Sequence, residues 1–114
     1  MTIQECYEAL GGGYANAVQR FGMEAMVRRF APKYLQDPTF EALEKCLQAG
    51  DTEGAFRQAH TLKGVAKNLS FVLLGDRASE LTELLRAGKL QEARDFFPQV
   101  RREHERAQEV LKQL

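Results

Sequence analysis

Thr52-Glu53-Gly54-Ala55-Phe56-Arg57-Gln58-Ala59-His60-Thr61-Leu62-Lys63-Gly64-Val65-Ala66-Lys67-Asn68-Leu69 is the stretch that decides how this chain folds. Ala55, Ala59, Leu62, Ala66 and Leu69 recur at alternating steps of four and three, the repeat of a helix with about 3.6 residues per turn. That narrow stripe is the buried seam of a bundle helix. Measured from its centre at roughly 100° per residue, His60 points about 140° away, Gly64 about 180°, Lys67 about 120° and Lys63 about 80°. The spacing therefore predicts His60 on the water-facing side.

A histidine on a helix surface is often no more than part of a solvated face; here its neighbours argue otherwise. An imidazole has an ordinary pKa of about 6.5, so near neutral pH much of it carries a free lone pair that can take up a phosphoryl group. Lys63 and Lys67, one and two turns along, are spaced to bond the negative charge that such a group brings. Gly64 costs the helix about 1 kcal/mol relative to alanine. Its position opposite the seam suggests that the cost is borne to let another molecule approach the ring closely.

At these residues the chain resembles a known family. His60-Thr61-Leu62-Lys63-Gly64, followed by Ala66 and Leu69, is similar to the phospho-acceptor signature of histidine-containing phosphotransfer (HPt) domains of phosphorelays. The resemblance covers nearly the whole chain and implies a small helical bundle in which His60 is the phospho-acceptor. It implies transfer from a receiver-domain phospho-aspartate to His60 and on to another response regulator. The implied partners are response-regulator receiver domains and a hybrid sensor histidine kinase. No cofactor is expected on the chain itself, Mg²⁺ being expected on the partner receiver domain. In the family a polar side chain on the next helix often faces the histidine; by position Thr82 falls there, with Arg86 one turn on. Ser70 departs from the family's usual glycine after the leucine, which puts the following turn in question.

The rest of the chain predicts an all-α, antiparallel up-and-down four-helix bundle with one or two extra short helices at its N-terminus. Thr2 caps a first short helix that ends at Gly11-Gly12-Gly13, and Tyr14 to Phe21 form another. From Met23 the positions Met26, Val27, Phe30, Tyr34 and Leu35 keep helical spacing, and Pro32 marks a kink or break. Asp37-Pro38 restarts a helix that runs to Gly50, and Asp51 caps the motif helix. A further helix spans about Val72 to Ala87 and a last one about Leu90 to Lys112, bent near Pro98. No segment alternates as a strand does.

Composition excludes several functions. The 114 residues make one domain, 1–114, too small for a separate cofactor domain. Sixteen basic and sixteen acidic residues cancel, which leaves no field for nucleic acid or an anionic membrane. Nothing approaches the roughly 20 apolar residues of a membrane span, and Met1-Thr2-Ile3-Gln4-Glu5 lacks an export signal. A cytoplasmic monomer is expected. Cys6 and Cys46 form no C-x-x-C pair, and no metal site is expected. A glycine-rich phosphate loop is also missing, so the chain is expected to be no enzyme.

The remaining candidates concern surfaces. Phe56, at about 100° from the seam, either forms a docking surface around His60 with Arg57 and with Phe71, if the helix extends that far, or is covered by a neighbouring helix. Met23, Met26, Phe30 and Tyr34 read as packing residues. The run Arg101-Arg102-Glu103-His104-Glu105-Arg106 reads as a solvated face that includes His104. Two rival functions share this fold: an interaction module that binds through the Phe56 to Phe71 face without transfer, and the phospho-acceptor domain of a larger sensor or chemotaxis-type kinase. Intact His60, Lys63 and Gly64 favour transfer, and the start at Met1 and plain helical end read as a free-standing protein.

Overall fold

Helix boundaries follow the chain's capping residues. A computed structural model describes residues 1–114 as α1 (Ile3–Ala9), α2 (Tyr14–Phe21), α3 (Glu24–Phe30), a 3₁₀ segment (Ala31–Gln36), α4 (Thr39–Ala49), α5 (Thr52–Asn68), α6 (Val72–Arg86) and α7 (Leu90–Leu111). Thr2 opens α1 with a capping box: its hydroxyl accepts from the Glu5 amide at 3.1 Å, and its own amide donates to the Glu5 carboxylate at 2.8 Å. Pro32, in the first turn of the 3₁₀ segment, marks the end of α3. The Asp37 carboxylate accepts the Thr39 amide at 2.8 Å and so caps α4 from just outside it. Gly50, at φ 74°, closes α4 in the left-handed conformation that glycine adopts without strain.

The long helices α4 to α7 form the bundle. Two- and three-residue links force successive helices antiparallel. α5 packs between α4 and α6, and α7 lies on α6 and also meets α4 and the 3₁₀ segment. The molecule is 40 Å long, and α7 alone spans about 33 Å of that at 1.5 Å per residue. Pro98 lies inside α7, which continues through it. α1 and α2 stand against one end of the bundle.

One core of apolar side chains runs through these helices. The α5 seam is built as its spacing predicts: Ala55, Ala59, Leu62 and Ala66 are fully buried. Three alanines in four positions keep α5 close to its neighbours, and at about 25 cal/mol per Å² the apolar area so removed from water is the main stabilising term. The Asp51 carboxylate accepts the Gly54 amide at 2.9 Å. A side chain at Gly54 would collide with that carboxylate and press on Cys46 Sγ, so the glycine lets cap and helix–helix contact coexist.

Two packing expectations fail. Met23 is 56% exposed, because it is the extended residue before α3 rather than part of that helix's inner face. His104 is 3% exposed and belongs to the core, not to a solvated face. Its ring stacks on Phe40 at 3.9 Å between centroids, and its Nδ1 shares a 2.6 Å hydrogen bond with the Tyr34 hydroxyl. Burial pushes the pKa of His104 below the ordinary histidine value and that of Tyr34 above the ordinary phenol value.

Candidate functional site

His60 lies on the exposed face of α5, in its third turn. Side chains on a helix lean toward its N-terminus, and one turn in that direction lies Phe56. The two rings are near-parallel, 19° apart in plane and 6.1 Å between centroids. Phe56 is half-buried, and the Arg86 guanidinium of α6 sits 5.0 Å from its ring centroid. Arg86 is in turn tied to Glu83 through Nε at 3.1 and 3.3 Å.

The opposite side of His60 is open. A Cβ built on Gly64 meets no atom within 4 Å, so this glycine serves no contact between helices of this molecule. Lys63 is half-buried and Lys67 exposed. Neither is engaged in an ion pair; those of the molecule join Arg77 to Glu80, Arg86 to Glu83, Arg101 to Glu44 and Arg106 to Glu109. Arg57 is exposed, and its carbonyl accepts the Thr61 hydroxyl at 3.0 Å. The face thus joins a water-facing imidazole, two cations free of acidic partners and an unobstructed approach.

Two expected members are not on it. Phe71 is 1% exposed: α5 ends at Asn68, and Phe71 turns inward as the residue before α6, where it packs on Tyr7 and Tyr34. It offers no docking surface. Thr82 is fully buried and its hydroxyl donates to the Ala78 carbonyl at 2.7 Å, so it cannot meet a group on the exposed ring. Arg86 reaches the site through Phe56 instead.

Ser70 adopts the left-handed conformation, φ 59°, that glycine takes most readily. Its hydroxyl donates to Asn16 Oδ1 at 2.6 Å, a bond that helps hold a conformation costly for a residue with a side chain. Gly13 completes the fit, since a side chain there would collide with the Ser70 carbonyl.

Three further residues have structural roles that the sequence expectations do not assign them. The Tyr7 hydroxyl of α1 donates to the Leu69 carbonyl at 2.6 Å and so satisfies a group at the open end of α5. Nothing in the local pattern around Tyr7 signals that partner. Gly75 is buried against Ala66 and the stem of Lys67, which a Cβ would touch at 3.8 and 3.5 Å; a glycine inside a helical pattern was the available signal. His104 continues the seam of Phe97, Val100, Ala107 and Leu111, and that spacing was there to be read.

Comparison with protein families adds one decisive observation: the model of the Hpt domain matches residues 25–110. The chain belongs to the Hpt domain family. Hpt domains are helical bundles that act as phosphocarriers in two-component phosphorelays, where they interact with receiver domains and kinases. No curated protein and no solved structure matches the chain. The Hpt match starts within α3 and runs through the 3₁₀ segment and α4 to α6 into α7 up to residue 110, with the whole His60 face, and leaves α1 and α2 outside. No helix of this Hpt domain is long and apolar enough to cross a membrane, and no three His, Cys, Asp or Glu side chains gather into a metal-binding group.

Proposed function

We propose that His60 is the phospho-acceptor of a phosphorelay carrier. Its outward ring nitrogen attacks the phosphorus of a phospho-aspartate on a receiver domain; an N–P bond forms as the acyl O–P bond breaks, and the aspartate leaves as a carboxylate. The same exchange in reverse loads a second response regulator. Lys63 and Lys67 bond the phosphoryl oxygens on the loaded ring. Gly64 leaves room for the receiver, and Phe56, Arg57 and Arg86 border the docking face. The receiver supplies Mg²⁺, which neutralises charge on the transferring group. The carrier binds no ATP and has no kinase activity of its own; it is loaded through the receiver of a hybrid sensor histidine kinase and works as a cytoplasmic monomer.

The observation that carries this reading is the open side of His60. The exposed ring, the empty space over Gly64 and two cations without acidic partners coincide on one face of α5, and that face lies within the Hpt match. Incubation with a phosphorylated receiver domain is the test. The expected product is an acid-labile, base-stable label on the wild type that is absent from His60→Gln. Equal labelling of a folded His60→Gln protein would overturn the assignment.

A further inference from the structure

The contact chain from α6 to the acceptor ring gives Phe56 a role other than docking. The Arg86 Nε–H is shared between the two Glu83 carboxylate oxygens, the Arg86 guanidinium lies 5.0 Å from the Phe56 centroid, and Phe56 stacks at 19° on His60. A cation over an aromatic ring and an offset pair of rings are both attractive arrangements. His60 is otherwise an exposed side chain, free to exchange rotamers on the picosecond-to-nanosecond scale. Phe56 is one turn toward the N-terminus, the direction in which the histidine leans, while Gly64 is one turn toward the C-terminus and bare. One side of the ring is held and the other is left open.

We infer that Phe56, clamped by Arg86, is a positioning residue that holds the His60 imidazole in the orientation presented to the phosphoryl donor. The inference rests on His60 being the acceptor. It assigns Arg86 a contact with Phe56 rather than with the phosphoryl group. Ordering the ring before the donor arrives removes part of the entropy cost of reaching the reactive geometry, so the benefit lies in the rate of N–P bond formation.

Phosphoramidate tests this without a protein partner: a ring nitrogen forms the N–P bond as the P–N bond of the reagent breaks, and ammonia leaves. In the full chain the ring-proton resonances of His60 are recorded alongside the labelling rate. Phe56→Leu is expected to remove the ring-current displacement of those resonances and to slow labelling about two- to tenfold, the range that corresponds to the loss of one aromatic pair. Phe56→Tyr is expected to restore both. Arg86→Ala, which leaves the aromatic ring in place, is expected to reduce the displacement partially. Phe56→Leu with unchanged resonances, or with lost displacement and an unchanged rate, would overturn the positioning role. An unlabelled wild type that keeps the ring-current displacement would instead overturn the acceptor assignment and leave the stack intact.

Discussion

The two histidines of this protein sit on bundle helices and have opposite fates. His60 stands outside α5, with a ring on one side and open space on the other. His104 is walled into the core by Phe40, and its Nδ1 is engaged by Tyr34. The angle to the seam separates them: His60 lies far from Ala59 and Leu62, whereas His104 falls in line with Val100 and Ala107. Burial commits the second imidazole to packing and a single hydrogen bond, while exposure leaves the first available to a partner.

The sharpest way to break the comparison is to remove each ring in turn. His60→Gln is expected to abolish phosphoryl labelling while costing no more than about 1.5 kcal/mol of stability, the worth of the ring pair with Phe56 that it removes; denaturant titration and label counting check both halves. His104→Ala is expected to do the reverse. It opens a cavity beside Phe40 and strands the buried Tyr34 hydroxyl, at a cost of about 3–5 kcal/mol, while His60 in the folded fraction still takes label.

Acid sharpens the same contrast. Burial lowers the folded-state pKa of His104, an effect opposed by Glu41, Glu105 and Asp37 and reinforced by Arg101. The folded protein thus binds that proton less readily than the unfolded chain. Its contribution to stability is complete above the unfolded value of about 6.5 and is lost as pH falls below it. Unfolding titrations between pH 7 and 5 are expected to show this loss in the wild type and a flatter profile in His104→Leu.

Smaller effects concern the glycines, or their absence, around α5. Gly64→Gln is expected to slow transfer from a receiver about tenfold to hundredfold by misplacing the partner, with helicity kept. Gly64→Ala should raise stability by up to about 1 kcal/mol, since its Cβ enters empty space. Ser70→Gly should shift stability by less than about 1 kcal/mol: relief of the left-handed strain is offset by loss of the bond to Asn16.

Helical spacing and capping residues made most of the fold legible. The α5 seam, the Thr2 and Asp51 caps and the break at Pro32 are local effects, and local sequence carries them. Phe71 and Thr82 misled because their placement depends on where α5 stops and how α6 is turned against it, both set by tertiary contact. Tyr7 was invisible for a related reason: its partner, Leu69, is 62 residues away. The Arg86–Phe56 contact joins two helices, and no single-helix pattern contains it.

The most direct test of the account is to phosphorylate the uniformly ¹⁵N-labelled wild type and follow both imidazoles by NMR. The expected result is one phosphohistidine, with ring resonances displaced at His60 and those of His104 retained. Displacement confined to His104, or a folded protein with no phosphohistidine under conditions that load other histidine carriers, would contradict it.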